Sequence, residues 1–136
     1  MNHATKMQVG DIEVFVLNDG NTTFETDTFT ATSTTEIKSL LDKVGQSSIK
    51  TSFNAFLIKS GDEVTLVDSG AGELFGSIAG NLNTALNDIG IAKSDITKLV
   101  ATHMHPDHIG GMIDSNGNRY FDNAELVLSI KEHTFW

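Results

Sequence analysis

Three of the five histidines in this chain, and one aspartate, fall within six positions, His103-Met104-His105-Pro106-Asp107-His108. Imidazole and carboxylate are the ligand types that suit Zn²⁺, Mn²⁺, iron or Co²⁺. His103 and His105 are two residues apart, so at the end of an extended strand they point to one side and can hold one ion. Pro106 breaks the strand and turns the chain. Asp107 and His108 are thereby offset and are expected to reach a second ion beside the first. Gly110 and Gly111 let the backbone pass close to such a site. The preceding residues, Ile96-Thr97-Lys98-Leu99-Val100-Ala101, read as a buried strand, which would deliver the motif at a sheet edge.

A site of this kind needs a core to hold it. At 136 residues the chain is about one domain long, and residues 1–136 are read as part of a single domain. The balance of 9 basic against 18 acidic residues, net -9, argues against nucleic acid or an anionic membrane as partner. There is no cysteine, which excludes disulfides and thiolate ligands. No apolar run reaches transmembrane length. Met1 to Gln8 has no apolar signal core, so the chain as written reads as cytoplasmic, or as periplasmic or secreted if a signal peptide has been removed.

In chain order, two short strands are expected between Met7 and Leu17 around a Gly10-Asp11 turn. Asn18-Asp19-Gly20-Asn21 has turn composition. A Thr-rich strand and loop follow, to Thr32. Ser33 and Glu36 have capping-box spacing and open a short helix with Ile37, Leu40, Leu41 and Val44 on one face, stopped by Gly45. Phe53 to Lys59 and Glu63 to Val67 form a hairpin across Ser60-Gly61-Asp62. Leu74, Ile78, Leu82, Ala85, Leu86 and Ile89 repeat at helical spacing up to Gly90. After the motif come a helical turn, a polar loop from Asp114 to Asn118 and a strand from Glu125 to Leu128. Ser129 and Glu132 again have capping-box spacing and start a last helix. Phe53, Ala55, Leu57, Leu66 and Val100 are expected to serve both faces of the sheet.

The run THMHPDHIGG resembles the HxHxDH signature of the metallo-β-lactamase superfamily. The segments GDIEVFVLNDG, FNAFLIKSGDEVTLVDSGAG, LFG and KEHTFW follow one another as in that superfamily, and are most similar to its methyl parathion hydrolase-like branch. The resemblance implies an α/β (α+β) fold, the αβ/βα sandwich, of which this chain would be the N-terminal half: one mixed sheet with helices on one face. It implies two divalent ions, most often zinc, with Mn, Fe or Co as alternatives. His103 and His105 would bind the first, and Asp107 and His108 the second. Asp68 in TLVDSG would be a buried carboxylate behind the histidines that fixes their orientation. Phe75 and Trp136 resemble aromatic positions lining the substrate pocket.

The implied activity is hydrolysis of an ester, lactone or phosphotriester by metal-activated hydroxide, with Asp107 at the reacting centre and a small-molecule substrate. The later half of such enzymes supplies a third histidine, a bridging aspartate and a last histidine, and none of those motifs occurs here. The chain alone is therefore expected to be an inactive fragment that self-associates or is completed by a C-terminal half. The competing expectation is a non-catalytic half-fold that binds metal weakly or serves association.

Overall fold

Alternating apolar residues set the sheet. The computed structural model describes residues 3–136. Its six strands lie in one mixed sheet in the order β1-β2-β3-β4-β5-β6. β1 (Ala4–Val9) and β2 (Ile12–Phe24) pair antiparallel across the Gly10 turn. β3 (Ile49–Ser60) and β4 (Glu63–Val67) form the expected hairpin, and Gly61 turns it at φ 58°. β5 (Lys98–Val100) runs parallel to β4, and β6 (Glu125–Val127) parallel to β5. The helices are α1 (Thr34–Lys43), α2 (Leu82–Asp88), α3 (Pro106–Ile109) and α4 (Ile130–Phe135). This is the mixed-sheet α/β arrangement expected from the sequence.

Two compact units are distinguishable, residues up to 20 together with 53–136, and residues 21–52. Within the second, Ser33 Oγ accepts from the Glu36 amide at 3.2 Å, so the N-cap forms as its spacing foretells. The Glu36 carboxylate accepts from the Thr32 hydroxyl. On α1 only Ile37 is buried, while Leu40, and Val44 just past the helix, are exposed. Phe24 and Phe29 meet edge to face at 6.4 Å.

The first unit carries the main core. Ala55, Leu57, Leu66 and Leu99 project from one side of the sheet and pack with Leu82, Ala85 and Leu86 of α2. The β3–β4 register puts Leu57 opposite Leu66 and Phe56 opposite Val67. Phe53, Ala55, Leu57 and Leu66 therefore share the covered face, and Val100, opposite Val67, lies on the other. The expectation that these five serve both faces holds only through Val100. The second face is the more open one, with Phe56 40% exposed. His3 anchors the start of β1, since its amide and imidazole both hydrogen-bond Asp88 of α2 at 3.1 and 3.2 Å. Those bonds hold the Asp88 carboxyl below its usual range.

Two sequence expectations need correction. Asn18-Asp19-Gly20-Asn21 is not a turn; β2 runs straight through it. Turn composition is overridden because Asp19 is fully buried and its carboxylate accepts from the amides of Ala71 (2.9 Å), Gly80 (3.2 Å) and Leu82 (2.8 Å). Gly20 is required because a Cβ there would lie 2.1 Å from the Ile78 carbonyl oxygen. The helix read from Leu74 to Ile89 is also divided, into a 3₁₀ turn at Gly76–Ile78 and α2 from Leu82. Gly76, which opens the turn, and Gly80, between it and α2, take positive φ, where an α-helix cannot continue.

Asp19→Ala strands two buried amides, of Ala71 and Leu82, and the part-buried amide of Gly80. Each such loss costs about 1–3 kcal/mol. Urea unfolding is expected to show a destabilisation of at least ~3 kcal/mol, with Asp19→Asn intermediate. A loss below ~1 kcal/mol would show that these amides find water or other partners.

Candidate functional site

The parallel pair β4–β5 sets the site. Val67 and Val100 are register partners, so the residues after them, Asp68 and Ala101-Thr102, leave the sheet side by side. The Asp68 amide donates to the Val100 carbonyl at 2.8 Å, and the Ala101 amide to the Val127 carbonyl at 2.9 Å. Asp68 takes φ 61°, which among the described residues other than glycine is its alone. Aspartate enters that region more readily than most residues. The residue is 4% exposed. It accepts from the Thr102 amide at 2.8 Å and from the Thr102 hydroxyl at 2.9 and 3.0 Å. Its Oδ2 also pairs with His108 Nδ1 at 2.7 Å.

Two loops then lie backbone against backbone. The Ser69 amide and hydroxyl both donate to the His108 carbonyl, at 2.7 and 3.0 Å, and the Gly111 amide donates to the Gly70 carbonyl at 3.1 Å. A Cβ on Gly110 would sit 2.2 Å from the Ala71 oxygen, and one on Gly111 2.1 Å from the Ser69 oxygen. Only glycine permits this approach. Pro106 opens α3, and His105 before it is extended at φ -73°, ψ 152°. The proline therefore ends the extended segment and offsets Asp107 and His108 from the histidine pair.

The four motif side chains come together as two pairs. His103 Nε2 and His105 Nδ1 are 3.1 Å apart. His108 Nε2 and Asp107 Oδ2 are 3.3 Å apart. The His103 ring lies 4.0 Å from that of His108 and 4.5 Å from that of His105, centroid to centroid. Among the described residues no three His, Cys, Asp or Glu side chains form a group that could hold an ion. Two ligand atoms on one zinc, with bonds of about 2.0–2.1 Å at a tetrahedral angle, stand about 3.3–3.4 Å apart. Both observed separations are close to that edge. The donor set thus fits two divalent ions as two half-sites, each short of further ligands.

Hydrogen bonding fixes which ring atoms are free. An ionised carboxylate only accepts, so His108 carries its proton on Nδ1 toward Asp68. The Thr102 hydroxyl has one proton, which goes to Asp68. Its oxygen then accepts from His103 Nδ1 at 3.1 Å. His103 and His108 are both left with a bare Nε2. A bare Nε2 facing the Asp107 carboxylate needs a proton or a cation between them. Between His103 and His105 the same place is filled by the His105 Nδ1 proton or by a cation.

The remaining residues singled out from sequence lie elsewhere in the same unit. Phe75 packs on Phe53 at 5.6 Å in a small cluster with Ala71 and Ala79. Trp136 is 63% exposed and stands edge-on to His105 at 6.1 Å. A cavity of about 510 Å³ is bounded by Leu74, Leu82, Ile109, Ile113, Tyr120 and Phe121, and none of the Asp68, Asp107 or histidine side chains of the motif lines it. Three residues escaped the sequence reading. Thr102 stood in the motif without a role, Asp19 was hidden in turn composition, and Glu132 was read only as a cap.

Comparisons with known proteins bear on the family and the fold. Residues 52–114 match the family model described as Lactamase_B, Metallo-beta-lactamase superfamily. The hydrolase AbOPH in the beta lactamase superfamily superposes with a TM-score of 0.93 at 30% identity, covering 100% of this chain and 47% of that one. AidC, a dizinc quorum-quenching lactonase in complex with a product, N-hexnoyl-L-homoserine, gives 0.94 at 31%, covering 100% and 48%. A probable metal-dependent hydrolase from Staphylococcus aureus gives 0.77 at 26%, covering 94% and 50%. The chain thus spans about half the length of these structures. No match was found among the curated proteins.

The backbone contact predicts a sharp steric effect. Gly111→Ala is expected to cost about 1–3 kcal/mol or more by denaturant unfolding, because the new methyl meets a carbonyl oxygen rather than a flexible side chain. A neutral outcome would mean the two loops are not held in contact.

Proposed function

This chain belongs to the metallo-beta-lactamase superfamily, and on that premise we propose that it is the metal-binding part of a hydrolase acting on ester-type bonds. The observation that carries the reading is the pair of two-donor half-sites, His103 with His105 and Asp107 with His108, at separations of 3.1 and 3.3 Å. The remaining ligands to each ion would come from outside these residues. Ions held there would supply Lewis acidity and a nucleophile available near neutral pH. Zinc suits both pairs, since imidazole and carboxylate are among its usual ligands.

The chain's own residues have separable tasks. Asp68 holds His108 by Nδ1 and, through Thr102, His103 by Nδ1, so both Nε2 atoms are presented outward. Asp107 brings negative charge to the second pair. Trp136 offers an apolar wall next to His105, which supports a substrate with an apolar group beside the scissile bond. A lactone or a phosphotriester fits, and the likeness to AidC, a lactonase, supports the first of these. The same aromatic placement supports the methyl parathion hydrolase-like branch. On this reading Phe75, which packs on Phe53, would be a second aromatic lining the substrate pocket. A second reading, a metal-binding or association module without catalysis, is favoured by one fact: no three donors converge among the described residues.

Calorimetric titration with Zn²⁺ tests the binding. Zinc is expected to bind the chain, and Asp68→Asn to weaken that binding roughly 10–100-fold. Hydrolysis of an N-acyl homoserine lactone or a phosphotriester, lost with a chelator and restored by Zn²⁺, separates enzyme from module. Zinc binding that ignores His105→Ala and Asp107→Ala would sink the hydrolase reading and the metal-binding form of the module.

A further inference from the structure

The Glu132 side chain does not do what its spacing suggests. In a capping box it would return to the Ser129 amide. Ser129 Oγ instead accepts from the Lys131 amide at 3.2 Å. The Glu132 carboxylate reaches across to the motif, where its Oε2 accepts from the Met104 amide at 2.9 Å. Met104 is the residue between His103 and His105. The same oxygen lies 3.3 Å from Trp136 Nε1, and the Trp136 ring is edge-on to His105. One carboxylate oxygen therefore joins α4, the backbone between two candidate ligands and the aromatic wall beside them.

We propose that Glu132 is a positioning residue that locks the His103–His105 backbone in its paired geometry by accepting the Met104 N–H. This rests on the reading of His103 and His105 as metal ligands. An extended segment ending at a proline has few ladder bonds of its own to fix it. β5 ends at Val100, so Met104 lies beyond the sheet. Without Glu132 the peptide between the histidines can rotate, and the two nitrogens no longer hold their separation of 3.1 Å. The role is that of an acceptor held in place by α4, so a neutral acceptor of the same length should serve it.

Two variants and two readouts test this in the 136-residue chain. In the metal-free protein, amide hydrogen exchange at Met104 is expected to be slow in wild type and Glu132→Gln, and fast in Glu132→Ala. Zinc affinity, measured by competition with a chromophoric chelator, is expected to fall 10–100-fold in Glu132→Ala and to stay near wild type in Glu132→Gln. Unchanged Met104 exchange in Glu132→Ala would overturn the proposal. So would unchanged zinc affinity in that variant. A Glu132→Gln protein as weak as Glu132→Ala would overturn it too, by showing that long-range charge is what matters. If wild type binds no zinc, the metal reading falls, while Met104 exchange still judges the hold of Glu132 on the loop.

Discussion

One buried carboxylate organises the site. Asp68 leaves the sheet at the end of β4 in a left-handed conformation, 4% exposed, and accepts from the Thr102 amide and hydroxyl and from His108. A carboxylate taken out of water must have its lone pairs satisfied. Here its partners are the first residue of the motif and its last histidine. Satisfying Asp68 therefore fixes both ends of the segment from Thr102 to His108. It also decides which ring nitrogens remain free. Orientation and chemistry follow from the same few hydrogen bonds.

That arrangement depends on rigid surroundings. The loop from Ser69 to Gly72 lies against the loop from His108 to Gly111 with no side chain between them, which only glycines at 72, 110 and 111 allow. Asp19, reaching from β2, fastens the Ala71 amide of the same loop, the Gly80 amide ahead of α2 and the Leu82 amide at its start. The apolar core beneath, from Leu57, Leu66 and Leu99 to Leu86, fixes the strand ends from which these loops leave. Burial supplies the cohesion, and two buried carboxylates determine how the loops stand on it.

The sequence revealed what local pattern decides. The histidine spacing, the proline, the β3–β4 hairpin and the centre of the strand before the motif, Lys98–Val100 of the expected Ile96 to Ala101, all rest on neighbours in sequence, and all appear in the structure. Turn composition at Asn18-Asp19-Gly20-Asn21 was misleading because partners 52 to 63 residues away satisfy Asp19. The apolar spacing from Leu74 to Ile89 continued across a break, since Ile78 keeps the period while Gly76 and Gly80 do not keep helical angles. Glu132 had the spacing of a cap and found a better donor 28 positions back. Thr102 carried no periodic signal. A hydroxyl that relays between a carboxylate and an imidazole is recognisable only once the three are seen together.

The central claim is that Asp68 sets the tautomers of two histidines, one directly and one through Thr102. Long-range ¹H–¹⁵N NMR on the metal-free protein near pH ~8, above the ordinary imidazole range, measures this. The account predicts that His103 and His108 both carry the proton on Nδ1, and that Thr102→Val releases His103 to a mixture while His108 keeps its tautomer. A His108 with no proton on Nδ1 in the wild-type protein would contradict it.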